Sequence, residues 1–186
     1  MPIFLLVRHA ESPWSPDQMR PLSPAGHTAA ERLADHLDQP RIAAIYTSPY
    51  LRARQTVTPL AHRRGLPIEE LPDLREREFG NPTGLAFEQA VAATFEDFDL
   101  AHPGGESSRL AQRRAVFLID HLLSGHPDRP IVLATHGNLL TLLLNHFDPE
   151  VGFDFWRSLA FPDVVRLSVS TSRSGASIER LSLPAA

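Results

Sequence analysis

The chain has no cysteine among its 186 residues. This absence excludes disulfide bridges, thiolate metal sites and cysteine nucleophiles, and it is compatible with any redox compartment. Lysine is absent as well, so all 18 basic residues are arginines. Schiff-base chemistry, a phosphate-loop lysine and lysine general bases are therefore excluded. Anions must be bound by arginine, histidine or backbone amides, and the planar guanidinium group of arginine matches phosphate oxygens well.

Long apolar runs and a strong net charge are also missing. No segment has the length and apolarity of a membrane span, and no signal peptide opens the chain, so we expect a cytoplasmic protein without a membrane partner. The net charge of −4 gives no general reason to expect nucleic acid as a partner. The length predicts one domain over residues 1–186, and the composition is compatible with homo-oligomerisation.

Two apolar runs predict strands that are buried on both faces of a sheet. The first spans residues 3–7 and stops at Arg8 and His9, and the second spans residues 130–135 and stops at His136. Cap, proline and spacing signals place helices and further strands around these two strands. The predicted helices are 24–37, 49–64, 85–98, 107–123, 139–145 and 153–159, and the other strands are 42–46, 66–71, 164–170 and 176–183.

This alternation predicts an α/β fold, a three-layer α/β/α sandwich with a mostly parallel central sheet and helices on both faces. A turn at residues 172–175 joins the last two strands into a hairpin, which gives the sheet a C-terminal antiparallel edge. We expect residues 80–106, rich in turns and phenylalanine, to form an insertion that caps the carboxyl edge of the sheet.

Several residues that can handle phosphate follow the predicted strands. Arg8 and His9 follow the first strand, Arg52 and Glu76 the next two, and His136 the fourth. Ligands of open α/β sheets bind at the carboxyl ends of the strands, so these side chains are expected to meet. Arg52 is predicted in a first helical turn behind a Ser48 cap, where free amides already favour an anion. Each residue alone is more often structural, and their joint placement is what indicates a site.

These residues lie in motifs that resemble the histidine phosphatase superfamily, the group that includes cofactor-dependent phosphoglycerate mutases. The matching segments occur in family order over residues 3 to about 145. They are Leu6-Val-Arg-His-Ala-Glu-Ser-Pro-Trp14, Leu22-Ser-Pro-Ala-Gly26, Thr47-Ser-Pro-Tyr-Leu-Arg-Ala-Arg-Gln-Thr56, Leu74-Arg-Glu-Arg-Glu-Phe-Gly80, Pro103-Gly-Gly-Glu-Ser107 and Thr135-His-Gly-Asn138.

The resemblance implies a role for each matching residue. His9 is expected to take the phosphoryl group as a phosphohistidine, and Glu76 to protonate the leaving oxygen and then activate water. The phosphate-binding set implied by the resemblance consists of Arg8, Ser15, Arg52, His136, Gly137 and Asn138. Such a cluster positions and neutralises the phosphoryl group without a metal or another cofactor.

The chain departs from the family pattern at three places. Alanine stands at position 10, where glycine is frequent. Ser15 replaces a common asparagine that helps to bind phosphate, so it can keep only part of that contact. Pro82-Thr83-Gly84 replaces a common Trp-Glu-Gly, which affects the pocket rim and substrate preference rather than the phosphoryl chemistry.

Nearby carboxyl groups leave an alternative open for the acid. Glu78 lies two residues after Glu76 in an irregular loop and could point inward instead. Glu11, next to the histidine motif, is expected to be structural and to orient an arginine.

The sequence favours hydrolysis of a small-molecule phosphomonoester over mutase-type phosphoryl transfer. Mutases of this family use extra basic residues after the acid, whereas here no arginine lies between Arg77 and Arg109. That segment is acidic and aromatic, which suits a neutral or apolar leaving group, although its phenylalanines are expected mainly to pack the insertion on the core. Phosphoglycerate mutase-type transfer and a non-catalytic, phosphate-binding regulatory protein remain the alternatives. No His-Glu-x-x-His metal motif or Gly-x-Ser-x-Gly elbow is present.

Overall fold

A computed structural model describes residues 1–38, 41–123, 125, 129–169 and 175–183. In this part of the chain six strands form one sheet in the order β3-β2-β4-β1-β5-β6. The strands are β1 (Ile3–Arg8), β2 (Ala44–Thr47), β3 (Ile68–Glu70), β4 (Ile131–Thr135), β5 (Asp163–Val169) and β6 (Ala176–Leu181). The first four strands run parallel, and β5 and β6 add an antiparallel edge beside β1. The predicted three-layer α/β/α class with its C-terminal antiparallel edge is confirmed.

Helices cover both faces of this sheet. They are α1 (Pro24–Leu37), α2 (Leu51–Arg64), α3 (Phe87–Glu96), α4 (Ser108–Leu123), α5 (Gly137–Phe147) and α6 (Phe153–Ser158), with a 3₁₀ turn at Pro72–Leu74. Alternate residues of β1 point to opposite faces: Phe4 and Leu6 pack with α4 and α5, whereas Leu5 and Val7 pack with α1 and α2. None of the helices described combines the length and apolarity needed to cross a membrane.

The start of α1 is fixed by a cap and by a close backbone approach. The Ser23 hydroxyl accepts a hydrogen bond from the Gly26 N–H at 2.9 Å, and Pro24 takes the first helical position, as predicted. Gly26 also lies against the loop that follows β1, because a Cβ atom there would stand 2.1 Å from the Glu11 carbonyl oxygen. Only glycine lets the helix approach this loop so closely.

The second helix begins differently from the prediction. The residue before α2 is Tyr50, which makes no side-chain cap, and the helix itself begins at Leu51. Ser48 is therefore not the cap of this helix; its hydroxyl accepts from the Tyr50 N–H at 3.2 Å in the turn before it. Arg52 still lies in the first helical turn, and Gly65 ends the helix with a positive φ of 61°, as expected.

The register of the central strands brings their following residues together. Arg8 in β1 stands opposite Thr135 in parallel β4, and the His9 N–H continues the ladder to the Thr135 carbonyl at 3.1 Å. The Ser48 N–H bonds the Ala134 carbonyl at 2.8 Å on the other side of β4. The chain therefore leaves three neighbouring strands at the same edge of the sheet. The predicted turn at 172–175 lies, apart from Gly175, outside the described residues, and the single-domain division with a capping insertion at 80–106 stays a prediction.

Candidate active site

His9 is buried at the end of β1 with one ring nitrogen fixed by the backbone. Its Nδ1 lies 2.8 Å from the Ala10 carbonyl oxygen, which can only accept, so Nδ1 carries the proton. Burial, together with the neighbouring charges of Arg52 and Arg8, lowers the pKa of His9 to about 3. The imidazole is consequently neutral at ordinary pH, with a lone pair on Nε2.

Arg52, in the first turn of α2, donates a hydrogen bond to this lone pair. Its Nε donates to His9 Nε2 at 3.2 Å, and its guanidinium lies 4.9 Å from the centre of the Tyr50 ring. Burial, followed by the nearby charge of Arg20, lowers the pKa of Arg52 to about 10. The group remains a cation at neutral pH and stands directly beside the histidine nitrogen.

Arg8, the last residue of β1, directly precedes His9 and is fixed by two contacts. Nη1 donates to the Leu159 carbonyl at 2.7 Å, and the guanidinium plane lies 3.5 Å above the centre of the Phe161 ring. Its Nε is buried and finds no hydrogen-bond partner among the described residues. Burial lowers the pKa of Arg8 to about 10, so it too stays charged. A buried cation with a spare donor is suited to an anionic ligand.

His136 follows β4 and is fully buried between the other groups. Nε2 lies 2.8 Å from the Ser48 hydroxyl, while Nδ1 has no hydrogen-bond partner in the part of the chain that the structure describes. Its ring meets the edge of His9 with 5.1 Å between the ring centres. Burial, with smaller contributions from His9 and Arg52, holds the pKa of His136 well below its usual value.

Glu76 is fixed at the start of α5. Its carboxylate accepts three backbone N–H groups: Asn138 at 3.1 Å, Leu139 at 2.9 Å and Arg77 at 2.9 Å. The loop before it is tied to the sheet, because the Thr135 hydroxyl donates to the Leu74 carbonyl at 2.7 Å. Arg114 of α4 also holds this loop, donating to the Asp73 carbonyl at 2.6 Å.

The other carboxyl candidates lie elsewhere. Glu78 is exposed, and its carbonyl accepts from the Glu106 N–H at 2.6 Å. Glu11 is also exposed, and its carbonyl accepts from the Ser23 N–H at 3.0 Å. Glu76 alone of these three lines the cavity beside His9. This placement supports Glu76 as the acid.

The remaining predicted residues divide into two groups. Gly137 and Asn138 line the cavity, and the Asn138 side-chain amide is buried with no partner in the described segments. Gly137 leaves room for Arg8, whose Nε would stand 3.0 Å from a Cβ at that position. Ser15 does not line the cavity; its hydroxyl accepts from Asp17 N–H at 3.2 Å. Its part in phosphate binding stays a prediction.

Arg20 is the main residue that the sequence did not reveal. It lines the cavity, its Nη1 donates to the Ser15 carbonyl at 2.7 Å, and its buried Nε has no partner among the described residues. Its charge also lowers the pKa values of His9, Arg52 and His136. Arg20 comes from an irregular, proline-rich loop, where no periodicity or strand end predicts its direction. The one available signal was that it is the sole basic residue of that loop.

A cavity of about 370 Å³ lies beside these groups, and the fully buried His136 is not part of its lining. Its mouth is aromatic, which the sequence predicted only in part. Phe95 and Phe98 pack against the core as expected, whereas Phe79 and Phe87 line the cavity. The cavity is lined by Arg8, His9, Ser12, Trp14, Arg20, Arg52, Glu76, Arg77, Phe79, Phe87, Val91, Gly137, Asn138, Trp156 and Phe161.

The acidic residues of the segment 80–106 do not set the charge of this cavity. Glu88 faces Arg157 at 3.7 Å, and Asp99 binds Arg109 in a two-pronged ion pair. Glu96 and Asp97 are exposed and lie outside the cavity lining. The acidic charge of this segment, from which the sequence predicted a neutral or apolar leaving group, is therefore not part of the cavity wall.

No group of three or more histidine, aspartate or glutamate side chains is arranged to hold a metal ion within the described ranges.

The site combines two neutral histidines with arginines and a carboxyl group beside a cavity. Such an arrangement can bind and transfer a phosphoryl group. The fold and the sequence motifs are those of one family. The model of the histidine phosphatase superfamily, branch 1, matches residues 4–183, so the chain belongs to this superfamily.

Individual relatives indicate which members of this superfamily the chain is similar to. The chain is 26% identical over 160 residues to the uncharacterized phosphatase PhoE of Bacillus subtilis (strain 168), covering 81% of each chain. It is 29% identical over 154 residues to the metal-independent phosphoserine phosphatase of Arabidopsis thaliana, covering 74% of this chain and 65% of that protein. A solved mycobacterial glucosyl-3-phosphoglycerate phosphatase in complex with inorganic phosphate superposes with a TM-score of 0.76 at 26% identity, covering 98% of this chain and 97% of that one. The protein is an enzyme of the phosphatase class.

Proposed function

We propose that the protein is a metal-independent phosphomonoester hydrolase that works through a phosphohistidine on His9, with Glu76 as general acid and base. The observation that carries this proposal is the state of His9. The Ala10 carbonyl holds the proton on Nδ1, and burial keeps the ring neutral, so Nε2 carries a lone pair, which accepts a hydrogen bond from the cationic Arg52 and which substrate takes up in place of that bond. This is the form that a nucleophilic histidine requires.

The first half-reaction forms a bond from His9 Nε2 to phosphorus and breaks the bond from phosphorus to the ester oxygen. Glu76 must carry a proton at this step; it gives the proton to the leaving oxygen, so an alcohol departs and Glu76 becomes a carboxylate. Arg8 and Arg52 neutralise the charge on the phosphoryl oxygens, which is the main requirement of phosphoryl transfer. The unpartnered Nδ1 of His136 gives that residue a nitrogen for the same oxygens.

The second half-reaction returns the enzyme to its starting state. Glu76 removes a proton from water, the water oxygen bonds to phosphorus, and the bond from phosphorus to His9 Nε2 breaks. Inorganic phosphate leaves, and Glu76 is protonated again for the next cycle. The backbone N–H groups at the start of α5 hold Glu76 in place through both steps.

Relatives support the proposal through their names. One is a metal-independent phosphoserine phosphatase, and a mycobacterial phosphatase of the same fold binds inorganic phosphate. The phosphate-binding set proposed for this chain remains Arg8, Ser15, Arg52, His136, Gly137 and Asn138, with Arg20 added from the structure.

Trapping the intermediate tests the proposal directly. Turnover of a ³²P-labelled phosphomonoester with a chelator present should be quenched in alkali, which preserves phosphohistidine, and the label mapped by peptide analysis. We expect the label on His9, and none in the His9→Ala variant, which should also lose hydrolysis. The exposed His62→Ala serves as the matched control and should label and turn over normally. Undiminished hydrolysis by the His9→Ala variant would refute the mechanism, and turnover that needs added metal would refute metal independence.

Phosphoryl transfer of the mutase type is the second candidate, because Arg20 and Arg77 give the cavity wall more positive charge than the sequence suggested. Incubation with 3-phosphoglycerate and a catalytic amount of the bisphosphate distinguishes the two. We expect phosphate release without 2-phosphoglycerate formation at a comparable rate, and rapid interconversion would favour the mutase.

A further inference from the structure

The cavity beyond the phosphoryl-handling groups presents aromatic carbon rather than charge. Phe87 is 61% exposed, Trp14 84% and Phe161 47%, which is unusual for rings of this size beside a buried cluster. All three line the same cavity as His9. Their exposed faces are therefore continuous with the site where the phosphoryl group is handled.

One wall of the mouth consists of aromatic rings that contact one another and come from three parts of the fold. Phe79, after the Glu76 loop, meets Phe87 at the start of α3 with 5.1 Å between ring centres. Phe87 in turn meets Trp156 of α6 with 6.3 Å between ring centres. Trp156 stacks on Phe153 at 5.6 Å, which holds the tryptophan from behind. These contacts fix the orientation of the wall before any ligand arrives.

Phe161 also lines the cavity and lies close to the proposed reacting groups. Its ring centre is 5.4 Å from that of His9, and the Arg8 guanidinium stacks on it at 3.5 Å. An apolar group attached to a phosphoryl group at His9 thus has aromatic surface within the same cavity, at Phe161 and along the wall.

The charges of the cavity wall do not offer an equally accessible site for a charged leaving group. Arg77 is only 3% exposed, and its Nη atoms donate to the hydroxyls of Ser108 and Thr94 at 2.7 and 3.0 Å. Its guanidinium carbon lies 4.6 Å from the Phe79 ring centre, so it packs against that ring, and its Nε is buried without a partner among the described residues. Arg20 has a spare donor, its buried Nε, and its charge interacts with that of Arg52, one of the phosphate-binding arginines.

We infer that the mouth is a leaving-group site for an aromatic ring, so that the substrate is a phosphomonoester of an aryl or arylalkyl alcohol. The inference rests on the proposed hydrolysis at His9 and adds the class of leaving group. Aromatic rings bind edge-on or offset against other rings, which is the geometry this wall presents. A cavity of about 370 Å³ is near the small end of ligand sites, which run from roughly 300 Å³, and it fits a one-ring or two-ring ester.

Three primary-alcohol esters test the inference without a difference in leaving-group chemistry: 2-phenylethyl phosphate, ethyl phosphate and phosphoserine. We expect kcat/KM for 2-phenylethyl phosphate to exceed that for ethyl phosphate by about tenfold to a hundredfold, as stacking against two rings provides. Phosphoserine should resemble ethyl phosphate. This comparison uses the wild-type protein alone, so it decides the matter even where a variant does not fold.

Variants then locate the site. Phe87→Ala and Trp156→Ala should each reduce the 2-phenylethyl to ethyl ratio by about fivefold to tenfold while leaving ethyl phosphate turnover within about twofold. Phe117→Ala is the matched control, since Phe117 is 72% exposed on α4 and does not line the cavity. It should leave the ratio unchanged.

The three possible negative results lead to different conclusions. Equal rates on 2-phenylethyl and ethyl phosphate would reject the aromatic site and retain the hydrolase. A preference for phosphoserine would reject it in favour of a charged leaving group bound by Arg20. A lack of phosphate release from all three esters would reject the hydrolase and this inference together.

Discussion

Glu76 meets its backbone partners with both carboxylate oxygens, which ties one acidic side chain to the start of α5 and to its own loop. A side chain held in this way keeps a constant direction relative to His9 while substrates come and go. Glu78, two residues later, has no such fixation by an element of the site and faces solvent.

Substitution of these two residues separates the acid from its neighbour. Glu76→Gln should lower kcat for alkyl esters by about 10²-fold to 10⁴-fold, the usual contribution of general acid–base catalysis. With 4-nitrophenyl phosphate, whose leaving group needs little protonation, the same variant should give a burst of nitrophenol and accumulate phosphohistidine, because water is no longer activated. Stopped-flow absorbance measures the burst. Glu78→Gln is the matched control and should behave as wild type, and the reverse order would move the assignment to Glu78.

Arg20 carries a second prediction at the scale of single residues. Its spare Nε and its position predict a third arginine contact to phosphate, so Arg20→Gln should raise the inhibition constant of inorganic phosphate and lower kcat/KM by about tenfold or more. Steady-state inhibition measures both. Arg32→Gln, on the exposed face of α1, removes the same charge away from this cavity. If the two variants are indistinguishable, Arg20 acts only through net charge.

At the scale of elements, helix α1 and the loop after β1 are locked together through Gly26. A methyl group at this position meets the Glu11 carbonyl at 2.1 Å, so helix and loop must separate. Gly26→Ala should therefore lower the free energy of unfolding by about 1–3 kcal/mol, as overpacking usually does. Chemical denaturation measures it, with Gly152→Ala as control because nothing lies within 4 Å of a Cβ there. Equal stability of the two variants would contradict the close approach.

The elements themselves were largely predictable, and the reasons are local. The apolar runs of β1 and β4, the Ser23-Pro24 cap and Gly65 each encode their structure within a few residues, so the sheet and most helices followed from pattern alone. The parallel order then brought His9, Arg52 and His136 to one edge. The prediction that Ser48 caps α2 was wrong, because its hydroxyl forms hydrogen bonds with the Tyr50 N–H and with His136 instead.

What could not be predicted lies in irregular segments, where direction depends on tertiary contacts. Arg20 and Trp14 come from a proline-rich loop, and Phe161 follows a short helix, so no period fixes where their side chains point. The different positions of Phe87, which lines the cavity, and of Phe95 and Phe98, which pack on the core, could not be predicted for the same reason. All three lie in one apolar pattern, but only Phe95, in α3, and Phe98, just after it, pack against the core.

At the scale of the whole molecule, the two buried histidines couple folding to pH. His9 has a folded pKa of about 3 and His136 one well below 6.5, whereas both take up a proton near pH 6.5 when unfolded. The unfolded state thus binds more protons between those values, so the stabilising contribution is complete above about pH 6.5 and is lost as pH falls toward 3.

Denaturation at pH 7.5 and pH 5.0 measures this coupling. Each histidine should cost roughly 1.4 kcal/mol of unfolding free energy per pH unit below about 6. His9→Asn should show a shallower decline than wild type, whereas the exposed His62→Asn should not. An unfolding free energy that is the same at both pH values would contradict the burial of two neutral histidines.

The two ends of the cavity are formed by different parts of the chain. The reacting groups are placed by the ends of β1 and β4, the first turn of α2 and the start of α5, whereas the aromatic mouth comes from α3, α6 and connecting loops. Mutations in α3 and α6 can therefore alter which esters are accepted while the strand ends keep the chemistry unchanged. Divergence of substrate choice within such a lineage is expected to concentrate in these two short helices, with little movement at the sheet.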